Sequence, residues 1–216
     1  DTNAEGRSTC LRSLPGKEVN GDKTGQEDCL EGETSEPGGV CKACDPGSFA
    51  SKAGSESCTP ADKGFYVMDS DTTQQFECPV GRYAPGQGTV NECLACSVGT
   101  FANVTRSVEC TPAAPGFYVG RTGASNETQC KAGTYTNAKG SSTCLRTEPG
   151  KEANSERTGQ VNCLEGETSE SGGVCKECTP GFYASAAGSP RCSPADPGYY
   201  VTVSYTHLTL PTINWV

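Results

Sequence analysis

The chain repeats itself about every seventeen residues, with a cysteine, a glycine and an aromatic at recurring offsets. The unit reads Cys-x-x-Gly-x-[Phe/Tyr], runs through a polar stretch containing Gly to a second Cys, and ends in two spacer residues. Its clearest copies begin at Cys44, Cys96, Cys130 and Cys178 and close fourteen positions later at Cys58, Cys110, Cys144 and Cys192. So short a period demands stacking, because a unit of this length cannot enclose a core of its own.

Composition leads to the same place. Only 33% of the 216 residues are apolar, too few for one conventional interior. Fifteen cysteines supply the missing constraint, and that density implies an oxidising compartment. No apolar run approaches the length of a membrane span, and no signal peptide opens the sequence. The expectation is a mature fragment that is extracellular or displayed at the cell surface. A formal charge of −9 argues against a nucleic-acid partner. Acidic and basic residues alternate along the modules and read as a solvated surface. Asp69 and Asp71 lack the turn glycine and closing glutamate of a calcium loop, so no metal site is expected.

Modules start at Ser13, Cys29, Cys44, Ala61, Cys78, Cys96, Ala113, Cys130, Thr147, Cys163, Cys178 and Ala195, and a partial one ends at Cys10. A glycine follows each start by three positions, as at Gly16, Gly81 and Gly198. Its recurrence calls for positive φ or for close approach of the next module's backbone. Two positions further stands an aromatic in eight modules: Phe49, Tyr66, Tyr83, Phe101, Tyr118, Tyr135, Tyr183 and Tyr200. These rings could form an exposed ladder for carbohydrate or protein. We prefer the reading in which each covers a disulfide and fills the seam to the next module. Glu18, Thr34, Glu152 and Thr168 take the ring's place elsewhere, and those modules are expected to be more mobile.

Cysteines disappear in pairs. Ser13 is matched by Gln26, Ala61 by Gln75, Ala113 by Glu127 and Thr147 by Gln160. Concerted loss is expected if each module closes on itself. The pairing then runs Cys29–Cys41, Cys44–Cys58, Cys78–Cys93, Cys96–Cys110, Cys130–Cys144, Cys163–Cys175 and Cys178–Cys192. Cys10 is left over; its partner is expected upstream of Asp1, so that the chain begins inside a module. Pro-Gly pairs mark turns, brief alternations mark strands, and no window has helical periodicity. The predicted fold is small, disulfide-rich and all-β. It is an elongated rod or solenoid of about thirteen hairpin modules, each with at most one internal disulfide.

A longer period overlies the short one. Residues 5–67 and 139–201 match without a gap at an offset of 134. This divides the chain into modules 1–60 (first copy of the long repeat), 61–138 (central) and 139–201 (second copy). Residues 202–216 form an atypical tail, with the sole Trp215 and the sole His207. Its string resembles translated adapter sequence; the alternative is a genuine strand that pairs with another subunit.

The string Cys-Lys-Ala-Gly-Thr-Tyr at 130–135, closed by Cys144, resembles the single-disulfide module of tumour-necrosis-factor-receptor cysteine-rich domains. The tandem arrangement, with Cys-Lys-Ala-Cys at 41–44, Cys-Leu-Ala-Cys at 93–96 and Cys-Lys-Glu-Cys at 175–178, resembles ephrin-receptor-like cysteine-rich repeats. Such repeats also recur in large surface proteins of protists. The resemblance spans residues 5–201 and departs where Ala61, Ala113 or Ala195 replaces a cysteine. It implies an elongated extracellular protein that meets other proteins or builds surface structures.

Catalysis finds no support, because the one His lies in the tail and no Cys–His or Ser–His pairing exists in the repeats. The Cys-x-x-Cys pairs lack the βαβ setting of a redox site and the convergent ligands of zinc, and read as ends of neighbouring disulfides. No cofactor is expected. Asn103-Val-Thr105 and Asn126-Glu-Thr128 are N-glycosylation sequons, so covalent glycan is expected at Asn103 and Asn126. The expected function is a structural subunit of an extracellular filament or surface coat that associates with itself or with other surface proteins. The alternatives are a receptor or adhesin ectodomain with a protein ligand, or a protist surface antigen.

Overall fold

A computed structural model describes residues 10–201. The atypical tail, including Trp215 and His207, lies outside the described residues. The described residues contain strands and turns and no helix. Among them, twenty-two strands, mostly two residues long, form eleven two-stranded sheets.

The hairpin follows from the module's punctuation. In the module at Cys44 the first strand is Ser48–Phe49, directly after the turn at Gly47. The second is Thr59–Pro60, the two spacer residues between Cys58 and Ala61, with Ser48 opposite Pro60 and Phe49 opposite Thr59. The module at Cys96 repeats this with Thr100 opposite Pro112 and Phe101 opposite Thr111. The module at Cys130 pairs Thr134 with Arg146 and Tyr135 with Leu145. Proline cannot donate to a ladder, so pairing stops at Pro60 and Pro112. Three hairpins are longer: Lys17–Val19 pairs with Gln26–Asp28, Lys151–Ala153 with Gln160–Asn162, and Phe65–Met68 with Asp71–Glu77 through a bulge. All three belong to modules without cysteines, though the module at Ala113, which also lacks them, pairs only two residues.

The chain divides into two compact units. Among the described residues, the first holds 10–114, 118–128 and 138–143; the second holds 115–117, 129–137 and 144–201. Within each, the same backbone bonds recur. From Cys29 onward, the N–H of every module start donates to the carbonyl of the preceding module's glycine, as Cys29 to Gly16 at 2.9 Å and Cys163 to Gly150 at 2.9 Å. The start's own carbonyl accepts from the following module's loop turn, as Ala61 from Gly88 and Cys163 from Gly188. The glycine N–H in turn donates to a residue six past the following start, as Gly64 to Ala84 and Gly150 to Ser169. A small unit thus satisfies its backbone by borrowing partners from the modules after it.

The interior is made of small residues. Buried are the module starts from Ser13 to Cys163, with Cys178 and Ala195 only half-buried, and residues six positions after a start: Ala50, Val67, Ala84, Ala102 and Val119 in the first unit, Ala153, Ser169 and Ala184 in the second. The rings from Phe49 to Tyr135 are half-buried, whereas Tyr183 and Tyr200 are exposed. Tyr66 packs on the Cys78, Ala84 and Cys93 cluster of the following module, and Phe101 packs on Ala113, Val119 and Ala124. Tyr66 therefore covers the following module's disulfide, and Phe101 the following module's small buried residues.

The recurring glycine has both properties expected of it. Its φ is +82° at Gly47, +81° at Gly81 and +78° at Gly150. The backbone that approaches it belongs to the module after next: a Cβ on Gly47 would overlap the carbonyl oxygen of Gly88, and one on Gly81 that of Gly123. Modules up to the one starting at Thr147 are therefore gripped by two successors, a tighter arrangement than the neighbour-only stacking of a simple linear array, whereas Gly166, Gly181 and Gly198 meet no such approach.

Candidate functional site

What this chain offers chemically is a set of closures and seams. Seven disulfides join Cys29–Cys41, Cys44–Cys58, Cys78–Cys93, Cys96–Cys110, Cys130–Cys144, Cys163–Cys175 and Cys178–Cys192, with Cα separations of 5.4 to 5.8 Å. Cys10 is a free, exposed thiol. Each pair of the Cys-x-x-Cys type flanks the second strand of a hairpin: one cysteine closes its own module and the next opens the following one. Among the described residues, no group of three or more Cys, His, Asp or Glu could hold a metal ion. Asp69 and Asp71 are engaged otherwise. Asp69 accepts from Asn91 Nδ2 at 2.9 Å; Asp71 accepts from the Thr73 backbone and hydroxyl and from Gln74 Nε2. Hydrogen bonds from Gln74 and then Thr73 hold the Asp71 carboxyl below its ordinary value.

The four fully described modules without a disulfide, at Ser13, Ala61, Ala113 and Thr147, are closed by a side-chain clasp. The Oε1 of Gln26 accepts the Leu14 N–H at 2.9 Å, Gln75 accepts that of Asp62 at 2.8 Å, and Gln160 accepts that of Glu148 at 2.9 Å. Glu127 does the same with a carboxylate, accepting the Ala114 N–H at 2.7 Å. In each case the residue in the closing position reaches back to the amide just after the module start. This explains why both cysteines are lost together: the closure is replaced as a whole. A clasp contributes about 0.5–1.5 kcal/mol net, against about 3 kcal/mol for a disulfide over a loop of this size. The recurrence of Gln or Glu there is visible in the sequence; that its oxygen aims at a backbone amide is not.

Two clasped modules carry a further mark. Ser13 and Thr147 occupy the buried cysteine position, at 1% and 0% exposure, and their hydroxyls have no hydrogen-bond partner. The site is shaped for sulfur or methyl, and the hydroxyl sits in it unsatisfied.

Where the aromatic is missing, the seam is made by polar bonds. Glu18 accepts the Cys41 N–H and Glu152 the Cys175 N–H, each at 3.0 Å. The Thr34 hydroxyl donates to the Ser55 carbonyl at 2.9 Å, and that of Thr168 to Ser189 at 2.8 Å. Each bond reaches the following module, so the four substituents hold seams of their own. One loop position departs in the opposite direction. Arg106, like Lys23 and Arg157, holds positive φ (+59°) at a loop position that is glycine in several other modules, and its guanidinium lies 5.9 Å from the Phe65 ring centroid and 3.5 Å from Glu77. Cation, ring and carboxylate thereby tie together two modules separated by a third.

Asn103 and Asn126 are both exposed, Asn103 shortly after its hairpin strand. Asn126 Nδ2 donates to the Ser125 hydroxyl at 3.2 Å, while the middle residue of its sequon, Glu127, is the clasp just described. No described helix is long and apolar enough to cross a membrane.

Comparison with known proteins agrees with this architecture. Residues 81–130 match the family model described as tyrosine-protein kinase ephrin type A/B receptor-like. No curated protein matches the chain. The matched stretch contains the disulfide Cys96–Cys110 and the closing Cys93 of the module before it. Residues 81–130 are thus similar to ephrin-receptor-like cysteine-rich repeats, and the same hairpin and turn glycine recur before and after that stretch.

Proposed function

We propose that this protein is a non-catalytic structural subunit of an extracellular filament or cell-surface coat, glycosylated at Asn103 and Asn126. The observation that carries the reading is the recurrent grip of modules, up to the one starting at Thr147, by the two that follow each. Such a grip makes extension by whole modules cheap, since every new module meets the same acceptors. The gapless 134-residue duplication is growth of that kind. Disulfides and clasps resist local opening, and an oxidising location is what the cysteine content requires. Electron microscopy of the purified glycoprotein should show long rods that associate with one another into fibres. Monodisperse monomers at all concentrations would reject the filament.

A second reading, a receptor or adhesin ectodomain, draws on one specific feature. Val80, Val90, Leu94, Val98, Val104 and Val108 are exposed within a short span of the first unit. It overlaps the segment that matches the receptor-like family. Saturable capture of one soluble protein partner, abolished by charged substitutions at Leu94 and Val98, would favour this second reading over self-assembly.

A further inference from the structure

We propose that Asn20 is a site of spontaneous covalent modification, at which the chain converts an asparagine into aspartate and isoaspartate. The sequence runs Asn20-Gly21, and both residues lie in the loop that joins the strands Lys17–Val19 and Gln26–Asp28. Asn20 organises that loop. Its Oδ1 accepts the N–H groups of Thr24 and Gly25, each at 3.0 Å, and its Nδ2 donates to the Thr24 hydroxyl at 3.3 Å. Its own N–H donates to the Gly25 carbonyl at 3.1 Å. Two donors on Oδ1 draw electrons from Cγ and make it a better electrophile. The nucleophile is the nitrogen of Gly21, an exposed residue whose N–H donates no hydrogen bond. Space around Gly21 is open, with no atom within 4 Å of where a Cβ would stand.

The chemistry needs only water and base. Solvent hydroxide removes the Gly21 N–H proton, the nitrogen attacks Asn20 Cγ, and the Cγ–Nδ2 bond breaks with release of ammonia. The succinimide so formed takes up water at either carbonyl. One opening leaves an ordinary aspartate in place of Asn20; the other leaves isoaspartate, with an extra methylene in the main chain. Either product loses the Nδ2 donor to Thr24. The isoaspartate also lengthens the backbone between the strands, shortly before Gln26, whose oxygen is the only closure this module possesses.

The protein carries its own control. Asn154 occupies the matching position of the second copy, and its Oδ1 accepts the N–H groups of Thr158 and Gly159 at 2.9 and 3.3 Å. Its Nδ2 donates to Thr158 at 3.0 Å. The following residue there is Ser155, whose side chain crowds the attacking nitrogen. The geometry is shared and the nucleophile differs.

The test is incubation of the intact, oxidised protein at mildly alkaline pH, followed by peptide mapping that separates Asn, Asp and isoaspartate. Conversion at Asn20 should exceed that at Asn154 by about tenfold, the ratio that about 1.4 kcal/mol of crowding at the transition state produces. Gly21→Ser should bring Asn20 down to the rate of Asn154, and Ser155→Gly should raise Asn154 to that of Asn20. Isoaspartate-containing molecules should lose hydrogen-exchange protection at Gly25 N–H, whereas those with ordinary aspartate, which keeps the accepting oxygen, should retain it. Equal rates at the two asparagines, or a rate at Asn20 that ignores Gly21→Ser, would overturn the proposal.

Discussion

Substituting the recurring glycine tests the double grip directly, and one pair of facing turns provides the series. In Gly81→Ala the new side chain meets two penalties. At φ +81° an L-residue costs about 1–2 kcal/mol relative to glycine. The Cβ also overlaps the Gly123 oxygen, and that loop is anchored by a 2.7 Å bond from Gly123 N–H to the Cys96 carbonyl. Forced overpacking of this kind costs about 1–3 kcal/mol, so both penalties together come to about 2–5 kcal/mol. Gly123→Ala meets only the first penalty: φ is +65°, and the nearest atom, Ala95 Cβ, is 3.9 Å away. It should cost about 1–2 kcal/mol, in keeping with Arg106 and Arg157, which hold φ of +59° and +61° at the equivalent loop position. Gly86 has open space and no positive φ, so Gly86→Ala should be neutral or stabilising by about 0.4–1 kcal/mol through the unfolded chain. The assay is denaturant unfolding of the oxidised protein together with amide exchange at Cys96, whose N–H bonds the Gly81 carbonyl at 2.9 Å. If Gly81→Ala and Gly123→Ala are equally harmful, close approach by the module after next is not what the glycine serves.

Other consequences follow from the closures. Thr147→Val removes a buried hydroxyl that has no partner and should stabilise the second unit by about 1 kcal/mol, read as a rise in melting temperature. Gln75→Ala deletes a clasp and should cost about 1 kcal/mol; Ala61→Cys combined with Gln75→Cys should form an additional disulfide, detected by non-reducing peptide mapping, and add up to about 3 kcal/mol. Acid should loosen two local structures. The Glu148 carboxyl is held below its ordinary range by a hydrogen bond from Lys151, then by that residue's charge, and further by Gln160, while burial opposes. Asp71 is depressed by Gln74 and Thr73. A depressed folded-state value means that the stabilisation is complete above the ordinary carboxylate range and is lost as pH falls through the folded value. Amide exchange around the Asp69–Ser70 turn and at Glu148 should therefore accelerate relative to other loops on acidification; an unchanged ratio would refute the assignment.

Much of this fold is legible because disulfide modules announce themselves by spacing. The paired loss of Ser13 with Gln26 and of Ala61 with Gln75 marks closure within a module, and the glycine three residues after each start marks an unusual backbone. The ring positions are legible as seam residues, though the structure sets Tyr66 over the next module's disulfide and Phe101 over the next module's small buried residues. The small residues six positions past each start are inconspicuous, because Ser35, Ala50, Ala84 and Ser169 have no size or charge to catch the eye. Their importance is steric: only a small side chain fits inside a column where successive turns of backbone approach this closely. For lack of a ring, the modules with Glu18, Glu152, Thr34 and Thr168 read as more mobile; that each of these residues makes a directed bond to the following module is not legible in the sequence.

By itself the sequence determined the period, the all-β hairpin character and the oxidising chemistry, because these depend on spacing along one strand of chain. Only the tertiary structure decided that the module after next closes on the glycine, that glutamine oxygen stands in for a cystine, and that two hydroxyls are stranded in sulfur-shaped sites. Those depend on which backbone atoms meet across two modules. Local pattern sets what each unit can form, but close packing between units settles which groups find a partner.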